Sequence, residues 1–396
     1  MVRFIHTSDW QLGMTRWFLE ENEGEAQSRF DEDRLAAIDR IGALAVAEGA
    51  EFIVVAGDVF DSNTLPERVF QRAVDRISQL PVPVYLLPGN HDALDASSIY
   101  LRPAFNSLKK AGIHVVRDSE PIQVREGVEI VGVPVRGKYS AEDIVGQVVS
   151  QLEATEDIRI VLAHGQVEGF GQDAGATIDI DEIRSAQSRG ALDYVALGDS
   201  HSTAQLDGAG RVWFSGAHET TAYDDKEHDS GNVLVVDVDK PRSTVSDGTS
   251  TVTVTPTPVG AWHFHAISKD VMSFSDVEDF FAELDALPGK TTTAVKYSLR
   301  GSVNLAEISE FEARMAVQAS RFAALYRRQS GSDLTVVAEV HDIERLGLSG
   351  YPLKAAHELS ARSQGHNDDG TSIAEEDRQA AADALRLLAR LVGEKE

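Results

Sequence analysis

The sequence predicts an α/β protein built on a parallel sheet, followed by a small α+β unit and a C-terminal helix. Three observations predict it. Short aliphatic runs alternate with stretches of helical apolar period through the first hundred residues, and strand–helix–strand alternation is the pattern of parallel sheets. Several of the aliphatic runs end directly in polar, ligand-type residues. Over 243–258 the composition shifts to Ser, Thr and Val, and a second set of helix and strand patterns begins after it.

The elements follow in order. Val2–Ile5 is a short apolar strand ending in His6-Thr7-Ser8-Asp9-Trp10-Gln11-Leu12-Gly13. After a polar, acidic stretch, residues 31–48 carry Leu35, Ile38, Ile41, Leu44 and Ala45 at helical spacing, and Gly49 stops that helix. Residues 52–56 (Phe-Ile-Val-Val-Ala) are a buried strand that delivers Gly57 and Asp58 at its C-terminal end. Residues 66–80 read as a helix with Pro66 in its first turn. Val84–Leu87 is a strand ending in Pro88-Gly89-Asn90-His91-Asp92. Further expectations are a helix over 100–111, strands at 114–116 and 129–133, and a helix over 141–152. Ile158–Ala163 is a strand ending in His164, 180–188 a helix, and Tyr194–Leu197 a strand ending in Gly198-Asp199-Ser200-His201. Residues 211–215 and 233–238 read as closing strands of a second sheet, with one more strand at 251–254.

We therefore expect a first domain over 1–260. A small α+β domain over 261–340 would hold a helix (277–287), a strand (293–299), a long helix (305–328) and a strand (334–340). A C-terminal segment, 341–396, would be polar before a helix over 372–391 that carries Leu385, Leu388 and Leu391. Those leucines suit either a partner-docking stripe or packing within the chain. Residues 261–340 hold 8 Lys/Arg against 11 Asp/Glu, and Arg321, Arg327 and Arg328 cluster towards the end of the long helix. A solvated face is the plainer reading of those arginines, and DNA contact the alternative.

Length and composition bound the function. At 396 residues with 42% hydrophobic residues, the chain can bury sizeable cores. A net charge of −27 argues against a broad basic face that grips phosphates. The absence of cysteine excludes disulfides, thiolate metal sites and cysteine nucleophiles. No apolar run approaches a membrane span, and the N-terminus enters a strand pattern without a signal-peptide layout. The expected setting is cytoplasmic, with no membrane partner.

Five strand ends deliver ligand-type side chains: Asp9 and Gln11, Asp58, Asn90 and His91, His164, and Asp199 and His201. One aspartate after a strand is more often a turn former. Five such ends at one sheet edge would repel one another unless a cation held them. Carboxylate, amide and imidazole ligands without thiolate suit Mn²⁺, Mg²⁺, Fe²⁺ or Zn²⁺. Two such ions about 3.5–4 Å apart can clamp a phosphoryl group and activate a bridging water. His91, beside Asn90, would face the substrate as acid or transition-state stabiliser.

The motifs Asp9-Trp10-Gln11, Gly57-Asp58-Val59-Phe60-Asp61, Gly89-Asn90-His91-Asp92, the lone His164 and Gly198-Asp199-Ser200-His201 resemble, in order and type, the calcineurin-like metallophosphoesterases. More narrowly, His6-Thr7-Ser8-Asp9-Trp10 with Leu12-Gly13, and Ala56-Gly57-Asp58-Val59-Phe60-Asp61, resemble the SbcD-type DNA repair nucleases. That resemblance implies a two-sheet α/β/β/α sandwich, a DNA-contacting cap after 260, and a C-terminal segment that docks an SMC-like ATPase of the SbcC type. It implies 3′–5′ exonuclease and endonuclease activity on DNA with two divalent ions, usually Mn²⁺. Carried over residue by residue, one ion would take Asp9, Gln11, Asp58 and His201. The other would take Asp58, Asn90, His164 and Asp199, with Asp58 shared. His91 would be the acid, with Asp92 its orienter, and Asp61 and His218 would border the substrate. His6 reads as a strand-end residue behind the ligands, and His263 and His265 as surface or packing residues. A homodimer is left open.

Two positions depart from the family. Gln11 and Asp199 stand where it has histidines. Asp9, Asp58 and Asp199 supply −3 against +4 from two divalent ions, leaving +1, where histidine at 199 would leave +2. The site is thus a weaker lure for phosphate and more oxygen-rich, which favours Mn²⁺ or Mg²⁺ over Zn²⁺. Three functions follow from this reading: a DNA nuclease, a phosphoesterase of nucleotides or phosphoproteins, and a non-catalytic scaffold with an altered metal site.

Overall fold

The structure, a computed structural model, describes residues 1–20, 25–137, 142–168, 177–241, 250–328, 330–336, 343, 348–367 and 371–393. The chain divides into two compact units, Met1–Phe264 and His265–Glu396.

The first unit begins with β1 (Val2–Thr7), α1 (Glu25–Glu48), β2 (Ile53–Val55), α2 (Glu67–Ile77), β3 (Val84–Leu86), α3 (Ala104–Lys110) and β4 (Ile113–Val115). It continues with β5 (Ile122–Arg125), β6 (Val128–Val133), α4 (Ile144–Gln151), β7 (Ile158–His164), α5 (Ile180–Ser188) and β8 (Tyr194–Gly198). It closes with β9 (Ala204–Gln205), β10 (Val212–Phe214), β11 (Asn232–Asp239) and β12 (Thr251–Pro258). These make two six-stranded sheets, ordered β12-β11-β1-β2-β3-β4 and β5-β6-β7-β8-β10-β9. Strands β1 to β4 run parallel, as do β6, β7, β8 and β10.

Alternation along each strand sets the layers, because successive side chains point to opposite faces. Phe52, Val54 and Ala56 pack with Ile158, Ile160, Leu162 and Ala196 between the two sheets. Ile53 and Val55 face the other way, onto Ile38 and Ile41 of α1 and Ile77 of α2. In the second sheet Val161, Ala163, Val195 and Leu197 meet Val149 of α4 and Ile183 and Ala186 of α5. The result is the α/β/β/α sandwich. Each fully buried Val, Leu, Ile or Phe contributes roughly 1.5–3 kcal/mol through water exclusion, which makes this alternation the main determinant of the layering.

Several expectations need correction. Residues 233–238 do not close the second sheet. They lie in β11, which pairs antiparallel with β1 from Val2–Val238 to His6–Leu234. Apolar alternation signals a strand but not its partner. Helix α1 starts at Glu25, ahead of its apolar period. The helix expected over 100–111 is a 3₁₀ turn, Ile99–Leu101, then α3, broken at Pro103, which has no N–H to continue it. Strand β5 was not foreseen: Ile122 and Val124 alternate with Gln123 and Arg125, a half-buried edge strand of only four residues.

The second unit carries a four-stranded sheet of β13 (His263–Val271), β14 (Thr293–Val303), β15 (Ala324–Arg327) and β16 (Asp333–Val336). Helices α6 (Phe274–Ala286) and α7 (Leu305–Ala319) bury Val277, Phe280, Phe281 and Phe311 against Val295 and Leu299 of that sheet. The long helix expected to Arg328 ends at Ala319, and Arg327 lies on β15 instead. Arg321 pairs with Asp285 at 2.9 Å, so the three arginines do not share a helix end. Of the strand expected over 334–340, residues 337–340 lie outside the described residues. A helix not foreseen, Tyr351–Ser363, precedes the last one, Glu375–Gly393. Leu385 is fully buried in this unit's core and Leu388 packs against it; the side chain of Leu391 lies outside the described set.

Candidate metal centre

The topology decides the site. β1, β2 and β3 are adjacent and parallel in one sheet, and β7 and β8 are adjacent and parallel in the other. Their C-terminal ends lie at the sheet edge where α/β proteins bind ligands. Side-chain atoms of Asp9, Asp58 and His164 all lie within 4.8 Å of one another. His164 Nε2 is 3.0 Å from Asn90 Oδ1, 3.4 Å from Asp58 Oδ1 and 3.7 Å from Asp199 Oδ1. On the other flank, His201 Nε2 lies 3.2 Å from Gln11 Nε2 and 3.9 Å from Asp9 Oδ1. Gln11 Nε2 donates to Asp58 Oδ2 at 3.4 Å. Asp58 thus turns one oxygen towards each flank, and the backbone N–H of His91 also donates to Oδ1 at 2.9 Å.

The backbone is bent to make this possible. Among the described residues, five non-glycine residues have positive φ: Asp9 (53°), Gln11 (39°), Asp58 (54°), Asp199 (101°) and Asp229 (52°). Four of the five are candidate ligands. Each such conformation costs on the order of 1–3 kcal/mol and persists only where its surroundings hold it. Here Asp9 N donates to Gly57 O at 3.0 Å and Gln11 N to Asp58 O at 2.8 Å. Gly89 serves a different need. A Cβ there would stand 2.1 Å from Asp58 Oδ1, so only glycine lets the Asn90 loop close over the shared carboxylate.

The donor set fits a cation. Burial pushes Asp9 up to about 6 and raises Asp199 as well. Burial also pushes Asp58 up, but His164 and His91 beside it together outweigh burial and hold it at about 2. Burial disfavours a charged His164, yet Asp58, Asp9 and Asp199 together raise it well above its ordinary value. Protein atoms alone therefore draw a proton into the pocket. His164 Nδ1 lies 2.8 Å from the carbonyl of Ala56, which uses the Nδ1–H. A neutral ring then aims its Nε2 lone pair at three oxygens, an arrangement a metal ion resolves. Gln11 Oε1 is buried without a partner, an amide oxygen with both lone pairs free.

Residues 2–203, just over half of the chain, match the family model described as calcineurin-like phosphoesterase. The chain belongs to that family. Among individual relatives it is 23% identical over 285 residues to the DNA double-strand break repair protein Mre11 of Saccharolobus solfataricus, spanning 70% of each chain. It is 24% identical over 214 residues to the uncharacterized metallophosphoesterase YhaO of Bacillus subtilis, spanning 52% of this chain and 50% of that one. It is 30% identical over 129 residues to the D component of the nuclease SbcCD of Bacillus subtilis, spanning 31% of this chain and 30% of that one. The chain thus spans half or less of the length of two of these relatives.

In this metallophosphoesterase the eight residues at the five strand ends meet, including both departures, Gln11 and Asp199. Two expectations are corrected. Asp92 does not touch His91. It is fully buried and accepts from Gly89 N at 2.7 Å, Phe60 N at 3.0 Å and the Tyr100 hydroxyl at 2.6 Å, so it shapes the loop. His91 is held instead by Asp61: its Nδ1 lies 2.9 Å from the Asp61 carbonyl and 3.9 Å from the Asp61 carboxylate. His218 does not border a substrate. It is fully buried, its Nε2 lies 3.0 Å from the carbonyl of Arg34, and its ring packs on Trp10. His6 is also buried, against the Tyr194 hydroxyl at 2.9 Å. Two residues escaped the sequence reading: Thr221, whose Oγ1 is 2.5 Å from His201 Nδ1, and Glu227 behind it. Nothing in Thr221-Ala222-Tyr223 or its neighbours marks them, since they lie in a loop remote in sequence from every motif.

Proposed function

We propose that this metallophosphoesterase hydrolyses the phosphodiester bonds of DNA, as a Mn²⁺-dependent exonuclease and endonuclease of the SbcD type. The observation that carries the reading is the Asp58 carboxylate, which turns its two oxygens to two separate ligand groups. One group is Asp9, Gln11 and His201; the other is Asn90, His164 and Asp199. Names of the relatives in which nuclease or DNA break repair appears support DNA as the substrate. Mg²⁺ and Fe²⁺ are the alternative ions.

When bound, a pair of divalent ions supplies charge neutralisation for the phosphoryl group and a hydroxide at neutral pH. The chain's own residues do the rest. Asp9 and Asp58, which are buried, and the partly exposed Asp199 would hold the pair and set its net charge. His91 is the acid. Its Nδ1–H is taken by the Asp61 carbonyl, so Nε2, 4.0 Å from Asp58 Oδ2, faces the site. Its side chain is 40% exposed, open to a leaving oxygen that needs a proton.

The net charge of −27 favours a second reading, a phosphoesterase of nucleotides or phosphoproteins, because the protein surface offers DNA little long-range attraction. In the nuclease reading an SMC-like ATPase partner and the second unit supply that grip, with residues 341–396 as the docking segment. Leu385 cannot take part in docking while it is buried in its own core. The test is hydrolysis of linear duplex DNA with Mn²⁺ against hydrolysis of a cyclic dinucleotide and an aryl phosphate. DNA cleavage that Asp58→Asn abolishes supports the nuclease. Turnover of the small esters alone supports the second reading. No turnover of any substrate, with Asp58→Asn indistinguishable, would leave the scaffold.

A further inference from the structure

We propose that Glu227, acting through the hydroxyl of Thr221, is the positioning residue that fixes His201 in the tautomer able to bind metal through Nε2. The inference rests on the metal-site reading above and deepens it on one flank.

The argument is a count of hydrogens. Glu227 is 5% exposed. Its Oε1 accepts from the Thr221 backbone N–H at 2.9 Å, and its Oε2 lies 2.5 Å from Thr221 Oγ1. An ionised carboxylate only accepts, so the Thr221 hydroxyl gives its single hydrogen to Glu227. Its oxygen then turns lone pairs to His201 Nδ1, 2.5 Å away. Nδ1 must therefore carry a hydrogen, and in the neutral ring that binds metal Nε2 keeps its lone pair. Glu227 itself stands 3.6 Å from Nδ1, too far for a direct bond, so the hydroxyl is the link. Arg16 anchors the relay from outside by donating Nε–H to the Thr221 carbonyl at 2.8 Å.

The consequence lies on the opposite side of the ring. The Nε2 lone pair and Asp9 Oδ1, 3.9 Å apart, both present electrons to the same space. The Gln11 amide stands there too, its Nε2 3.2 Å from His201 Nε2 and 3.4 Å from Asp58 Oδ2. With the relay reversed, a hydrogen on Nε2 would block ligation. With the relay intact, the flank of Asp9, Gln11 and His201 is preset for a cation. Carboxylates behind metal-binding histidines tune affinity by roughly 10–100-fold in general, and here the effect belongs to one flank only, since His164 takes its tautomer from the Ala56 carbonyl.

Thr221→Val, Thr221→Ser and Glu227→Gln test this, with two readouts on the full chain. Imidazole nitrogen NMR of the metal-free protein, taken at a pH high enough that His201 is neutral, reads its tautomer directly. Calorimetry with Mn²⁺ alone reads both sites. Expected results are Nδ1–H in the native protein and in Thr221→Ser, with a loss of that preference in Thr221→Val and Glu227→Gln. One Mn²⁺ dissociation constant should weaken roughly 10–100-fold in those two variants while the other stays. Folded Thr221→Val and Glu227→Gln proteins that keep the native tautomer and both affinities would overturn the proposal, as would a native His201 carrying its hydrogen on Nε2. A variant that fails to fold is judged by Thr221→Ser: recovery of fold, tautomer and affinity supports the relay, and recovery of fold alone overturns it. A native protein with the Nδ1–H tautomer that binds no Mn²⁺ sinks the metal reading instead, because the tautomer is read without metal.

Discussion

Gly57→Ala puts the construction of the site to a quantitative test. Gly57 has φ of 97°, a conformation L side chains rarely adopt, and a Cβ there would stand 2.1 Å from His164 Nδ1. Ordinary contact begins near 3.4 Å, so the imidazole must retreat by more than 1 Å. The hydrogen bond from Nδ1 to the Ala56 carbonyl, 2.8 Å long, cannot survive that shift. Backbone strain costs about 1–3 kcal/mol and the lost bond about 1 kcal/mol, a total of roughly 2–4 kcal/mol. For a unit of this size that is a fall in melting temperature of roughly 4–16 °C. The ring also leaves Asn90 and Asp199, so the flank built on His164 should lose Mn²⁺. Differential scanning calorimetry and Mn²⁺ titration on one preparation measure both. A melting temperature within about 1 °C of native, with two Mn²⁺ bound, would show that His164 does not lie against Gly57 and would refute the packing argument.

Three further outcomes are expected. His91→Ala should lower kcat roughly 10²–10⁴-fold while two Mn²⁺ still bind, because no ligand side chain is removed; loss of metal instead would make His91 a structural residue. Asp92→Ala leaves the Gly89 and Phe60 N–H groups and the Tyr100 hydroxyl without their acceptor, costing about 3 kcal/mol in urea unfolding; a cost below about 1 kcal/mol would mean the loop does not depend on it. Mn²⁺ binding should release protons at pH 7, because His164 without metal is held protonated well above its ordinary value by Asp58, Asp9 and Asp199, and Glu227 and Asp9 raise His201 against its burial. Affinity therefore rises with pH through the neutral range, and below about 6 a further proton, on Asp9, must also leave. Calorimetry in two buffers of different ionisation enthalpy counts those protons, and no buffer dependence at pH 7 would contradict the charge state assigned to His164.

Much is legible in the chain itself. Aliphatic runs at 52–56 and 158–163 predict buried strands because only such runs survive burial on both faces. Each ligand-type residue follows such a run within a few positions, which makes Asp9, Asp58, Asn90, His164 and His201 readable as one group. Net charge, lack of cysteine and the order of motifs are likewise properties of the sequence.

Other features depend on residues distant in the chain. Val233–Val238 reads as a strand from its pattern, but hydrogen-bonding to β1 rather than to the second sheet is decided by which edge is open after β1 to β4 have paired. Asp92 looks like a partner of its neighbour His91, yet turn geometry sends its side chain inward to Tyr100 and gives His91 to the Asp61 carbonyl. His218 follows a strand as the ligands do, and packing buries it behind Arg34. Thr221 and Glu227 carry no local signal, because a hydrogen-bond relay is a matter of distance and not of spacing. Local pattern determined which residues could hold a cation. Only the pairing of two sheets, which sets which strand ends share an edge, decided that Asp58 would stand between the two flanks and that Glu227 would stand behind one of them.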